Sequence, residues 1–253
     1  MKKGLMILTA LLVLLTFSAC GKKAGESAYE LYAKGTEEIL AADSMQVNAK
    51  LKTKMQGGGV NQEINMDMSM KMITQDGKLQ AQIETSGEQF GLPGTMTIYI
   101  KDNETYMDVQ GKKIKMQLPE GTLNGLTSNS QPVKLESSAV KEQKTEDVNG
   151  KKKLTMTISG DAMMETAKQQ MSELLETYPG AQMTVGDVFI EAVVGSDGKL
   201  ETISMKLNIS ATVAGQTMTM DMEMEAEYVQ IGNVTIDFPA DLDTYVVIAI
   251  PAQ

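Results

Sequence analysis

The strongest constraint on this chain is a period of two in its apolar residues, repeated along most of its length. Met45, Val47, Ala49, Leu51 and Met55 alternate with Gln46, Asn48, Lys50, Lys52 and Lys54. Ile64, Met66, Met68, Met70 and Met72 alternate in the same way with Asn65, Asp67, Ser69 and Lys71. Successive side chains of a strand point to opposite faces, so each such run predicts a strand with one buried and one wet face. The pattern recurs at Leu79-Ala81-Ile83, Met96-Ile98-Ile100, Met107-Val109, Ile114-Met116 and Leu154-Met156-Ile158. It continues at Val188-Ile190-Ala192-Val194, Ile203-Met205-Leu207-Ile209, Met218-Met220-Met222-Met224 and Val234-Ile236-Phe238, for about eleven strands.

Turn residues fall where hairpins need them: Gly57-Gly58-Gly59, Asp76-Gly77, Asp102-Asn103, Asn149-Gly150, Asp197-Gly198 and Ala214-Gly215. Short links of this kind predict an antiparallel meander, and the spacing does not suit βαβ units. The pattern also predicts registers. Placing Gln56 opposite Asn61 sets Leu51 against Met66, Ala49 against Met68, Val47 against Met70 and Met45 against Met72, with Lys54 facing Glu63 and Lys50 facing Asp67. Placing Val213 opposite Gln216 sets Leu207 against Met222 and Lys206 against Glu223. A slip of one residue in either hairpin would turn a methionine row to water.

Two segments have helical period instead. Ala28 to Ala42 carries Leu31, Tyr32, Ile39 and Leu40 on one side, and Asp161 to Tyr178 carries Met163, Met164, Ala167, Met171, Leu174, Leu175 and Tyr178. Asp161 suits an N-cap, and Tyr178-Pro179-Gly180 stops the second helix. Pro119 to Ser138, rich in Gly, Ser, Asn and Thr, reads as a long loop. These features predict a mainly β (α+β) fold: a large curved antiparallel sheet, or half-open β-barrel, of about eleven strands wrapped around two α-helices.

The start of the chain predicts export. Lys2 and Lys3 precede an apolar run from Leu5 to Phe17, which suits a signal-peptide core and is shorter than the ~20 residues that span a bilayer. Phe17-Ser18-Ala19-Cys20 then resembles the bacterial lipobox, in which the cysteine is acylated and becomes the new N-terminus. Cys20 is the only cysteine in the chain, so no disulfide is expected despite export to an oxidising compartment. The expected division is a cleaved lipoprotein signal peptide at 1–19, a lipidated tether at 20–27 and one domain at 28–253. The expected location is the extracytoplasmic face of the cell membrane, with membrane lipid held through an N-terminal diacylglyceryl anchor.

Composition removes several functions. The net charge of −10, more acidic still once Lys2 and Lys3 are cleaved away, repels polyanions and argues against nucleic acid as a partner. The chain has no His, Arg or Trp. Ser-His-Asp or Cys-His catalysis, His-ligated zinc and bidentate Arg recognition of phosphate are therefore out of reach. No catalytic residue, metal site or cofactor is nominated, and the expectation is a protein that is not an enzyme. Asp221, Glu223, Glu225 and Glu227 share the wet face of one strand, where a solvated edge or a cross-strand partnership with lysines explains them better than calcium does. Lys151-Lys152-Lys153 follows a hairpin turn and reads as solvated, with contact to anionic headgroups as the other possibility.

Only 4% of residues are aromatic, yet 21 are methionine. Methionine is flexible and polarizable, so a methionine wall adapts to varied apolar shapes such as acyl chains. The lipobox, the polar tether, a helix, a long one-sided meander and a second helix together resemble the LolA/LppX/LprG-like lipoproteins. Ser44 to Met72, Met96 to Leu118 and Val234 to Pro239 resemble a Gram-positive branch of that superfamily. The resemblance implies a half-open barrel around helices with an apolar cavity for lipid or lipid-linked molecules. The candidate ligand-binding residues are Val47, Met66, Met68, Met70, Ile98, Met107, Leu207, Met218, Met220 and Met222, with Pro119 to Ser138 as a movable lid. The alternative is a ligand-free structural or interaction lipoprotein of the cell envelope, its core filled and its protein partner unknown.

Overall fold

The computed structural model describes residues 26–76, 78–89, 92–102, 104–109, 111–117, 136–164, 182–213 and 215–247. The expected signal segment, Cys20 and the expected tether through residue 25 lie outside these residues. So do residues 119–135 of the expected lid from Pro119 to Ser138 and the expected second helix beyond residue 164.

Hairpin chemistry sets the architecture. Strands β1 (Ser44–Gly57), β2 (Val60–Gln75), β3 (Lys78–Gln89), β4 (Leu92–Lys101), β5 (Glu104–Val109) and β6 (Lys112–Gln117) form one antiparallel meander. After it come β7 (Val140–Val148), β8 (Lys151–Ile158), β9 (Gln182–Val185), β10 (Val188–Val194), β11 (Leu200–Val213), β12 (Gln216–Ile231) and the short β13 (Val246–Val247). They join a single 13-stranded sheet in the order β13-β6-β5-β4-β3-β2-β1-β12-β11-β10-β8-β7, with β9 beside β11. Among the described residues every ladder but the parallel β13–β6 pair is antiparallel, and the two ends of the order do not pair with each other, so the barrel stays open.

Both predicted hairpin registers hold residue for residue, from Met45↔Met72 through Gln56↔Asn61 and from Leu207↔Met222 to Val213↔Gln216. Left-handed backbone appears where the turn chemistry requires it, as at Asn149 (φ 51°) and Gly150 (φ 79°) between β7 and β8. The join that closes the centre of the sheet is β1 with β12, antiparallel from Met45↔Ile231 to Gly57↔Met218.

Three strands exceed the expectation, and one expected strand is something else. β7 has both faces wet along most of its length, so it shows no alternation, while β9 and β13 are too short to show any. Val234-Ile236-Phe238 does alternate between inward and exposed positions, but it pairs with no strand. After β12 ends, the chain turns at Gly232, whose N–H donates to the Ser44 carbonyl, and the Val234 N–H donates to Ser44 Oγ. Ser44 points to the polar face, so the segment crosses that face as a strap. Phe238 lies against Tyr99 with ring centroids 6.1 Å apart, Tyr245 meets Tyr106 edge-on at 5.6 Å, and β13 then pairs with the edge strand β6. Its alternation reflects packing onto the sheet and not a ladder.

Helix α1 (Ala28–Leu40) begins at the capping box of Ser27 and Glu30. It buries Ala28, Tyr32, Gly35, Thr36 and Ile39, so the buried stripe is rotated from the expected one and Leu40 lies on the exposed side. The helix packs on β7, β8, β10 and β11. Gly35 permits this approach, because a Cβ there would lie 2.9 Å from the Leu200 Cβ. Residues 160–164 begin a helix where the second one is expected.

Candidate functional site

The inner face of the sheet, on which α1 lies, has two unlike ends. Around the helix, Ile39, Leu154, Met156, Ile158, Val188, Ala192, Val194 and Leu200 are 0–2% exposed. Met45, Val47, Met70 and Met72 join this core from the near ends of β1 and β2. Burial pushes the Tyr32 hydroxyl up to about 12, against a smaller opposing hydrogen bond with Thr36. Burial, with Tyr32 as a lesser cause, also raises Tyr228. The Thr105 hydroxyl is buried with no hydrogen-bond partner among the described residues.

Toward the β1–β2 and β11–β12 turns the same face opens. Met55, Ile64, Met66, Met68, Leu207, Ile209, Met220, Met222 and Met224 are only half-buried there, and Met218 is 42% exposed. Cross-strand pairing brings the predicted residues onto one continuous surface: Met68 beside Ala49, Met66 beside Leu51, and Met222 between Thr53 and Leu207. Ile98 and Met107 pair with each other further along the sheet, reached from Met70 through Ile83. Val47 and Met70 belong to the packed core; the other predicted positions are half-buried or exposed.

The opposite, polar face holds a feature absent from the sequence reading. A trough of about 1000 Å³ crosses β4, β3, β2, β1, β12, β11 and β10. On each of six strands the lining alternates outward, inward, outward, as in Asn48-Ala49-Lys50, and on β10 only the outward Glu191 takes part. The trough therefore lies on the outer face, where a strongly twisted sheet is saddle-shaped and concave along one direction. Its floor is two cross-strand rows. One runs Glu191–Ser204–Glu225–Lys50–Asp67–Ser86–Thr95, and the other runs Thr202–Glu227–Asn48–Ser69–Glu84–Thr97. Their serines, threonines and asparagine are short, which leaves the hollow.

The acidic residues of β12 find lysines along most of this face. Asp221 faces Lys54, Glu223 faces Lys52 and Lys206, and Glu225 faces Lys50, but Glu227 stands between Asn48 and Thr202. β12 is thus a central strand whose acids oppose lysines, one of the two expected explanations, and the compensation runs out at the trough. Facing ladders of opposite charge at period two were the signal in the sequence for the β1–β12 join. Among the described residues no three carboxylates are arranged to hold a metal ion. Lys151, Lys152 and Lys153 are each in an ion pair, with Glu201, Asp147 and Glu191.

The strap adds a third grouping. Lys113 pairs with Asp241 and holds its carboxyl below the usual range. Lys115, 2.8 Å from Glu104, lowers that carboxyl first, and the Tyr106 hydroxyl, donating to it at 2.6 Å, lowers it further.

The fold and this face define a class: an open, curved, one-sided antiparallel sheet closed at one end by a helix. The chain belongs to DUF6612, a family of unknown function, whose model matches residues 27–243. Similar solved structures include the lipoprotein LppX from Mycobacterium tuberculosis, at 14% identity over 83% of this chain and 98% of that one, with a TM-score of 0.40. LprF from Mycobacterium bovis is similar at 12% identity over 85% and 100%, with a TM-score of 0.43. A LolA superfamily protein from Nitrosomonas europaea is similar at 13% identity over 86% and 97%, with a TM-score of 0.22. No curated protein sequence matches the chain. Among the described residues no helix is long and apolar enough to cross a membrane.

Proposed function

We propose that this chain is a lipid-anchored protein of the cell envelope that holds an acyl chain or similar lipophile against the open end of its inner face. The observation that carries the reading is the exposure of Met66, Met68, Met218, Met220 and Met222 on a surface whose other end is packed to near-zero exposure. A continuous apolar surface left partly wet marks a binding site more often than a stable exterior. Methionine suits a ligand of variable length and saturation. Cys20 supplies the anchor in this reading, and the segment 119–138 supplies the lid.

A fluorescent fatty-acyl probe tests the site. The protein contains no Trp, so Met220→Trp both fills the surface and reports on it. Probe affinity should fall about tenfold or more in this variant while the circular dichroism spectrum and melting temperature stay close to wild type. Absence of probe uptake by the wild type, or unchanged uptake by the variant, would overturn the reading. Cys20→Ala should abolish labelling by a palmitate analogue; undiminished labelling would remove the anchor.

A further inference from the structure

We propose that the trough on the polar face is a docking groove for an extended, basic polypeptide segment of a partner protein. The argument begins with shape. Seven strands at ~4.8 Å spacing make the groove ~29 Å long, the span of about nine extended residues at ~3.3 Å each. A volume of about 1000 Å³ stretched over that length is shallow and linear, unlike the compact pocket that encloses a small molecule.

Charge then selects the occupant. The lining holds Asp67, Glu84, Glu191, Glu225 and Glu227 against Lys50, with Lys153 paired to Glu191 at the end of the groove, which leaves an excess of three acids. The adjoining row on the β11 and β12 side, Lys206–Glu223–Lys52, has two lysines to one glutamate, with Lys206 held by Glu223 and Lys52 by Glu63, so the acidic excess belongs to the groove and not to that row. Such a surface repels anionic lipid headgroups and nucleic acid and attracts Lys and Arg side chains. Between the carboxylates lie the hydroxyls of Ser69, Ser86, Ser204 and Thr95, which suit the backbone amides of a bound chain. No three carboxylates are arranged for a metal among the described residues, so the acids do not read as a cation cage.

The third observation is Phe189. It lies on the outer face of β10, one outward position from Glu191 in the groove, and it is 56% exposed in a chain with only four phenylalanines. Aromatic residues, phenylalanine among them, are enriched at protein interfaces, and a ring exposed beside a charged groove offers a bound segment an apolar contact. A segment lying in the groove places its cations over Glu225 and Glu227 and an apolar residue against Phe189.

The test uses the full chain and a nine-residue probe, (Lys-Ala)4-Leu, with (Glu-Ala)4-Leu as its mirror in charge. The basic probe should bind, with affinity falling as salt rises, and the acidic probe should not. Glu225→Gln with Glu227→Gln should weaken binding about tenfold, and Phe189→Ala about threefold through faster dissociation. Glu37→Gln with Glu38→Gln removes the same charge from the exposed side of α1 and should leave affinity within about twofold. These positions are all exposed, so the fold persists and circular dichroism verifies it. Equal loss in the α1 pair would mean that net charge alone attracts the probe and would overturn the proposal. Spermine binding as tightly as the peptide, and displacing it, would make the groove a small-cation site and overturn it too.

Discussion

The two ends of the inner face use the same residue types in the same alternation, and they end in opposite states. At the closed end Met156 is 1% exposed and Leu154 is 0% exposed beneath α1; at the open end Met218 is 42% exposed on a strand of identical pattern. The difference lies in what the helix reaches. α1 packs chiefly on β7, β8, β10 and β11, with Tyr32 near Tyr228 of β12, so the far halves of the long hairpins carry core chemistry without a core. Alternation alone therefore identifies a face that wants covering, and the covering element decides whether it becomes interior or stays open.

The sharpest way to break this comparison is truncation at each end. Leu154→Ala should cost about 2–5 kcal/mol, because a buried side chain leaves a cavity that its neighbours fill only in part. Met220→Ala should cost under ~1 kcal/mol, since its site is already partly wet. Urea unfolding of the two variants checks this, and equal midpoints would erase the distinction between the ends.

Next in size is the helix seat. Gly35→Ala adds a methyl 2.9 Å from the Leu200 Cβ, an atom fixed close to the backbone. Overpacking of ~1–3 kcal/mol should outweigh the ~1 kcal/mol that Ala gains over Gly in a helix, so the melting temperature should fall. A rise would show that α1 floats above the sheet.

Alkaline titration separates the ends without mutation. Tyr32 and Tyr228 are raised by burial, so the fold favours their neutral forms. This contribution is complete below the ordinary tyrosine value near 10 and is lost progressively as pH climbs from 10 through about 12. Tyrosinate absorbance should therefore show these rings ionising last, together with loss of the α1 signal. Their ionisation near pH 10 with the fold intact would mean the closed end is wet.

The smallest effect belongs to Thr105, whose buried hydroxyl lacks a partner among the described residues. Thr105→Val keeps the shape and removes the unsatisfied group, so stability should hold or rise by up to ~1 kcal/mol. A clear loss in thermal unfolding would reveal a partner for the hydroxyl.

Much of the sheet was legible from residues alone because two independent signals agreed in each long hairpin. Apolar parity placed Val47 against Met70, and charge placed Lys50 against Asp67, in the same register. β7 escaped because an edge strand wet on both sides has no parity to read, and the strap was misassigned because packing onto a face imitates ladder alternation. The candidate residues were legible as one surface, yet their division into buried Val47 and Met70 and half-buried Met66, Met220 and Met222 was not, since sequence does not say where a helix ends its contact. The trough was hidden for another reason: its rows run across the strands, through residues more than a hundred apart in the chain.

The β1–β12 pairing has a consequence for how the molecule is made. Residues 44–117 can zip into six strands by neighbouring turns as soon as they emerge, but one side of β1 then waits for β12, which ends at Ile231. The intervening chain must emerge before β12 can pair. Through that interval β1 is a bare edge, of the kind that recruits stray strands. Lys50, Lys52 and Lys54, alternating along it, are the residues that discourage such pairing until the acids of β12 arrive to meet them. The same ladder that fixes register in the finished molecule thus serves as the guard of its nascent form.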